Sequence, residues 1–197
     1  MIRRIFLDMD GVIANFSDKA ISAVSGCSLE EAAKISDRLV EHDFHGVLGI
    51  TEDDFWRSID AMGDQFWAEL PPYPWMNELV ATIDKFAPWT ILSAPSMHPS
   101  CAAGKMKWIY KHFGSNFRNF ALAPRKWQFA RSADQVLIDD KYSNITEWIQ
   151  HGGIGILFPR AFNRARDFRC DPVKYVQEQL VRADERIYIL GGPPLKE

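Results

Sequence analysis

Cysteine is scarce in this chain: three residues among 197, Cys27, Cys101 and Cys170, odd in number and outside any CxxC or Cys/His zinc spacing. That pattern supports neither a disulfide framework nor a structural zinc, and the thiols read as reduced bystanders. A long uninterrupted apolar run is also missing, which excludes a membrane-spanning helix and leads us to expect a soluble protein with no membrane partner. The opening MIRRIFLDMDG has two basic residues but reaches its acids after a very short apolar run, so it makes a poor signal peptide and the cytoplasm is the expected compartment. Basic charge is not in excess, with 23 Lys and Arg against 26 Asp and Glu and a net charge of -3. Sequence-independent binding to a polyanion needs a basic face that releases counterions, so no nucleic acid polymer is expected as partner. A small anionic substrate stays compatible, because a few local cations and a metal overcome a weakly negative whole. Repeats are absent, and only the GGPPLKE tail reads as disordered.

What is present is ordinary globular material, 47% hydrophobic and 25% charged, enough for one substantial core with a small insert but not for two domains of usual size. Ile2 to Leu7 is a compact apolar, β-branched stretch that ends abruptly in Asp8-Met9-Asp10-Gly11, a buried strand delivering acids at its C-terminal end. From Asn15 to about Gln65 the apolar spacing turns helical; Ser28-Leu29-Glu30-Glu31 is a capping box and Thr51 can cap a helix beginning TEDDFW. Pro71-Pro72-Tyr73-Pro74 breaks this insert. Then follow a helix over Met76 to Phe86, a strand from Trp89 that ends at Ser93, and a helix from about Cys101 to Phe113 stopped by Gly114. Strands are expected at Asn119 to Ala123, at Gln135 to Ile138 ending in Asp139-Asp140, and at Ile154 to Phe158. A helix over Asn144 to His151 separates the last two, and a final helix runs from Pro172 to about Ala183, before the stretch Ile187 to Leu190. The alternation favours an α/β fold, a Rossmann-like parallel sheet with helices on both faces and a small helical insertion after the first strand.

In open sheets of this kind ligands bind outside the carboxyl ends of the strands, and Asp8, Asp10, Ser93, Lys126, Asp139 and Asp140 all fall at or just after such ends. Several carboxylates converging in one crevice repel each other, so a hard cation with oxygen ligands is required, and Mg2+ suits a site to which phosphate adds a further ligand. The two acids of the DxD suit different work. One can ligate metal and attack phosphorus while the other, two residues on in a turn that Gly11 permits, stands beside the leaving oxygen. Lys126 would neutralise the nucleophile and the phosphoryl oxygens, and the Ser93 hydroxyl with neighbouring backbone N–H groups would hold the equatorial oxygens.

DMDGVIA, ILSAPS, the lysine in APRKW and VLIDDK occur in the order of the four motifs of the haloacid dehalogenase-like (HAD) hydrolase superfamily, which the chain resembles. Within it, DMDGVIANF, the Phe55-Trp56 and Phe66-Trp67 pairs, ELPPYP and the KMKWIYKHFG helix look like the 5'(3')-deoxyribonucleotidase family. That resemblance implies a HAD-like core of residues 1–14 and 73–197 with a helical cap of residues 15–72, and a phosphatase that converts nucleoside monophosphates to nucleoside and phosphate. Asp8 would be the nucleophile that forms an aspartyl-phosphate, and Asp10 the general acid and base. Asp8, the Asp10 carbonyl and Asp139 would hold Mg2+ with Asp140 supporting. Ser93, Ala94 and Lys126 would meet the phosphate, and Phe16, Phe55 and Trp56 the base or sugar. The sequence departs at Asn15, Ala94 and Lys141, which touches substrate preference and leaves the chemistry intact.

Each residue also has a blander reading. Aspartate and glycine at a strand end suit a turn, and Ser93 suits a helix cap. Lys105, Lys107 and Lys111 have the helical spacing of a solvated face, and Lys126 is preferred for phosphate because it precedes the last acid-bearing strand by the expected interval. Phe66 and Trp67 read as core, and Phe55 and Trp56 serve core or substrate alike. His42 and His45 lack a third ligand and read as surface residues; His98 gets no role. Rival functions are hydrolysis of a sugar phosphate or a polynucleotide end, or a non-catalytic, receiver-like phosphate-binding module, whose order of motifs differs. A homodimer stays open.

Overall fold

The structure is a computed structural model and describes residues 1–40 and 42–189; the GGPPLKE tail and Leu190 lie outside the described residues. Five parallel strands form its sheet: β1 (Arg4–Leu7), β2 (Trp89–Ser93), β3 (Phe120–Leu122), β4 (Gln135–Asp139) and β5 (Ile154–Leu157), in the order β3-β2-β1-β4-β5. With β1 central, the chain builds outward first on one side and then on the other. The crevice of such a sheet opens where that direction reverses, at the carboxyl end of β1. Register fixes what meets there. Leu7 is level with Ile91 on β2 and with Ile138 on β4, so Asp8, Ser93 and Asp139 emerge from three adjacent strands beside one another.

Alternation along the strands sends side chains to two cores. Ile5, Leu7, Val136 and Ile138 join the larger one, which includes Leu79, Ile83, Val176 and Leu180 of helices α6 (Met76–Ile83) and α9 (Pro172–Ile189). Phe6, Leu92 and Leu137 face the other way, onto Ile145 and Trp148 of helix α8 (Tyr142–Gln150). Trp148 is fully buried with its ring 5.2 Å from that of Phe6. Burying such a side chain is worth roughly 1.5–3 kcal/mol, so one residue goes far towards seating α8.

Between β1 and α6 lie α1 (Phe16–Ser25), α2 (Leu29–Ser36), α3 (Phe44–Leu48), α4 (Glu52–Ala61) and α5 (Gly63–Ala68). Local chemistry explains their starts. The capping box at Ser28 and Glu31 is complete, Thr51 accepts from the Asp54 N–H, and Asn15 accepts from the Asp18 N–H. The chain leaves and returns through paired backbone. Asn15 N donates to Pro71 O at 2.7 Å and Tyr73 N to Ile13 O at 2.9 Å, while Trp75 Nε1 donates to Val12 O at 2.9 Å.

Helix α7 (Pro99–Phe113) starts two residues before the position read from sequence, because Pro99 fits the first turn at no cost and the His98 ring accepts from the Ser100 N–H. Helix α9 also runs past Ala183, and Ile187 continues its buried face. Among the described residues no helix is long and apolar enough to cross a membrane.

Helices α5 and α7 touch at Gly104, where a Cβ would collide with the Asp64 carbonyl oxygen and Trp67 Cβ. This contact joins the inserted helices to the sheet domain beside the crevice. Gly104→Ala is therefore expected to destabilise the protein by about 1–3 kcal/mol, the usual cost of overpacking, despite the better helix propensity of alanine. Urea unfolding of the two proteins measures it; an unchanged midpoint would show that the helices separate freely.

Candidate active site

Asp8 continues β1, and its backbone N–H still donates to Ile138 O at 2.9 Å, so the sheet holds it at the crevice floor. The following turn is tight, with Gly11 at φ +73, and any side chain there would run into the Asp140 carboxylate. Asp139 ends β4 and is fully buried; the Asn144 amide donates to both its carboxylate oxygens at 3.0 and 3.1 Å, and the Lys141 N–H to Oδ1 at 2.9 Å. Asp140 follows, with its carbonyl oxygen accepting from Asn163 Nδ2 at 2.9 Å. Asp8, Asp139 and Asp140, all buried, each offer one oxygen within 4.8 Å of the others.

Lys126 stands on a short 3-10 turn, Lys126–Phe129, and its ammonium lies 2.6 Å from Asp8 Oδ1 and 2.6 Å from Asp139 Oδ2. One cation thus serves two of three anions. Burial, then the Asp139 charge, push the Asp8 carboxyl up to about 8 against the pull of Lys126, and Asp140 and Asp10 add to the rise. For Lys126, burial alone would lower the ammonium, but the Asp139 and Asp8 carboxylates outweigh it and hold it well above its ordinary value. A cluster with more anions than cations in so little water has the donor set of a hard dication: three carboxylates, with the Asp10 carbonyl close by in the chain.

Asp10 is oriented differently. Its Oδ2 accepts from Lys105 Nζ at 2.6 Å, and its Oδ1 is enclosed without a hydrogen-bond partner. The same ammonium donates to Ser93 Oγ at 2.7 Å and to the Ala94 carbonyl at 2.9 Å. All three ammonium protons are used. The structure therefore corrects the reading of Lys105 as part of a solvated face: it is fully buried and ties the second acid to the β2 end. Its neighbours Lys107 and Lys111 are exposed as expected. A signal existed, because Cys101, Lys105, Trp108 and Ile109 share one buried stripe of α7.

His42 is a second correction. The sequence places it at the surface, yet Nε2 lies 3.3 Å from Asp140 Oδ2 and its ring packs 4.4 Å from that of Phe162. No spacing could reveal this, since the backbone at His42 takes φ +74 and the partner lies 98 residues away. His45 pairs with Asp43, and His98 caps α7.

Above the acids lies a cavity of about 680 Å³, lined among others by Asp8, Asp10, Ser93, Ala94 and Lys126 and, from the inserted helices, by Phe16, Phe55, Trp56 and Trp67. The structure thus brings every expected site residue to this one crevice except Asp139, which stands just beneath Lys126. Phe16 is the hub of the aromatic wall, stacked 5.3 Å from Trp67 and 6.2 Å from Trp56. Phe55 is almost wholly buried against Phe44, so it is mainly core. Trp67, read as core, is buried yet borders the cavity, and Phe66 does not.

Solved structures with this fold come from several bacteria. One is a HAD family hydrolase from Deinococcus radiodurans R1 with bound phosphate and sodium, 15% identical over 93% of this chain and 96% of that one, with a TM-score of 0.57. Another is a predicted phosphatase from Clostridium acetobutylicum, 14% identical over 92% and 99%, with a TM-score of 0.57. A third is the HAD-hydrolase YfnB from Bacillus subtilis bound to magnesium, 12% identical over 79% and 86%, with a TM-score of 0.52. No curated protein matches the chain. These likenesses establish the HAD-like fold, and the sequence carries the identity further: residues 1–185 match a family of phosphatases of the nucleotidase kind, so the chain belongs to the 5' nucleotidase, deoxy (pyrimidine), cytosolic type C protein family.

Proposed function

We propose that this hydrolase removes phosphate from nucleoside monophosphates in a Mg2+-dependent reaction, with Asp8 as nucleophile. The observation that carries the reading is the buried Asp8, gripped by Lys126 and clustered with two further acids at the floor of an aromatic-walled cavity. Asp8, Asp139 and the Asp10 carbonyl would hold the metal, with Asp140 supporting; when bound it supplies positive charge that draws electrons from the phosphoryl group. Magnesium and phosphate, bound by two proteins of this fold, are the ligands such a donor set suits.

An Asp8 oxygen attacks phosphorus as the ester P–O bond breaks, and Asp10 gives its proton to the departing sugar oxygen. Oδ2 of Asp10 is committed to Lys105, so Oδ1 is the oxygen that carries the proton. Water then gives a proton to Asp10 and attacks the phosphorus of the aspartyl-phosphate, releasing phosphate and restoring Asp8. Lys126 offsets the charge of the phosphoryl oxygens, and the Ser93 hydroxyl, accepting from Lys105, keeps its own proton free to donate to one of them. Residues 15–72 act as a cap on the core of 1–14 and 73–197, and their aromatic wall excludes water from the reacting atoms. We place the enzyme in the cytoplasm, acting on a small-molecule nucleotide.

Phosphate release from a panel of nucleoside monophosphates and sugar phosphates tests the reading. Asp8→Asn is expected to abolish turnover with the thermal midpoint retained; wild-type rates in a clean preparation would overturn the assignment. Lys105→Met should lower kcat on the order of tenfold or more with a smaller change in KM, because it disturbs the proton-carrying acid.

A dependence on pH follows from Asp8. Its carboxyl lies above its ordinary value of 3.8, so the stability it contributes to the metal-free protein is full below pH 3.8 and is lost as pH rises through about 8. Mg2+ competes with that proton and relieves the repulsion left when it departs. The rise in thermal midpoint on adding MgCl2 should therefore be larger at pH 8.5 than at pH 6. An equal rise at both would show that the metal does not meet Asp8.

A further inference from the structure

His42 lies between α2 and α3 and takes φ +74, in the left-handed region. Among the described residues it is the one residue other than glycine that does so. That conformation is unfavourable for an L residue, so the surrounding contacts must hold it. Two are local: the His42 carbonyl accepts from the Phe44 N–H at 2.9 Å, and Asp43 caps α3. The others lie on the sheet domain. The ring is mostly buried and packs 4.4 Å from that of Phe162, and Nε2 lies 3.3 Å from Asp140 Oδ2. An ionised carboxylate only accepts, so Nε2 is the nitrogen that carries the hydrogen. Asp140 is therefore held from two parts of the chain. Asn163 donates to its carbonyl at 2.9 Å and fixes the backbone, while its carboxylate fills the space beside Gly11 and meets His42. Among the described residues His42 is the one side chain of the segment 15–72 that bonds to Asp8, Asp139 or Asp140; Lys126 and Asn144 come from the sheet domain.

Resting on the reading of these acids as a Mg2+ site, we infer that His42 is a positioning residue that keeps the Asp140 carboxylate turned to the acid cluster, and that it thereby makes metal binding depend on the inserted helices being seated on the core. Repulsion from Asp8 and Asp139 favours turning that carboxylate away, and a donor fixed on one of its oxygens opposes the turn. The ring contact with Phe162 sets where the donor stands, and the left-handed backbone at His42 aims it. Such coupling is reciprocal: whatever seats His42 favours the cation, and the cation favours the seating of His42. A substrate bound against the aromatic wall, which holds the inserted helices down, thus tightens the metal site as well.

The test titrates MgCl2 into nucleotide-free wild type and His42→Phe in a calorimeter at one pH. Phenylalanine keeps a ring against Phe162 and removes the N–H. The dissociation constant for Mg2+ should rise about tenfold or more in the variant. A merely structural role would lower the metal-free thermal midpoint and leave that constant unchanged. Amide hydrogen exchange supplies a measurement that needs no variant: MgCl2 without nucleotide should slow exchange over residues 42–48 of wild type, and the protection should vanish in His42→Phe. Equal or tighter Mg2+ binding by His42→Phe, or wild-type exchange over 42–48 that MgCl2 leaves unchanged, overturns this inference and spares the Mg2+-dependent phosphatase. A wild type that neither binds MgCl2 nor hydrolyses phosphate monoesters faster in its presence overturns both.

Discussion

Repulsion among Asp8, Asp139 and Asp140 is the constraint around which the crevice is built. At separations near 4 Å and an effective dielectric of about 20, each pair of full charges would cost on the order of 4 kcal/mol. Lys126 offsets one charge of three, so the fully ionised cluster would keep two negative charges in excess; burial first, and then this repulsion, push the Asp8 carboxyl up to about 8. A fold tolerates this only if its backbone gives the acids no retreat. Parallel register supplies that: Leu7 opposite Ile138 fixes Asp8 beside Asp139, and hydrogen bonds continue the sheet one residue past β1. The strands are held by two apolar cores on opposite faces, so the hydrophobic energy of the sheet sustains an arrangement that is electrostatically unfavourable by itself. The same imbalance is what a dication or a proton relieves, which ties the acids' chemistry to their cost.

Several side chains exist to keep those acids aimed. Asn144, one turn into α8, donates to both oxygens of Asp139, and Asn163 reaches back from beyond β5 to the Asp140 carbonyl and to Phe158 O. His42 approaches Asp140 from the inserted helices, and Gly11 is required because the Asp140 carboxylate fills the space where a side chain would go. Core and insertion therefore meet at the acids, and again where Gly104 lets α5 lie against α7.

Much of the sheet was legible in the sequence, since short β-branched runs closed by acids or serine have few alternatives, and β1, β2 and β4 fall within a residue or two of where the pattern puts them. Caps carried their own signals at Ser28 and Thr51. The acids, Ser93 and Lys126 were legible because strand ends of a parallel sheet share an edge. Lys105 was misjudged because its spacing with Lys107 and Lys111 suggested a charged face, while the apolar stripe at Cys101, Trp108 and Ile109 argued otherwise. A lysine with three partners behaves as a core residue. His42 lay beyond reach, since its contact depends on a left-handed backbone position and a partner on another element.

Lys105 also explains how two aspartates two residues apart come to differ. Asp8 shares its cation with Asp139, lies beside two more acids and is buried, an environment that raises its affinity for a proton or a metal. Asp10 has an ammonium to itself, held by Ser93 and Ala94 on the neighbouring strand end, and stands outside the three-acid cluster. Its bonded oxygen is fixed and its free oxygen has no protein partner, so the carboxyl is oriented without being neutralised from both sides. The proposed mechanism assigns the crowded, metal-ready carboxylate to the nucleophile and the carboxyl with one oxygen held to the acid that must later become a base. One turn of backbone at Gly11 separates the two environments, and the lysines from α7 and from the 3-10 turn make them unlike.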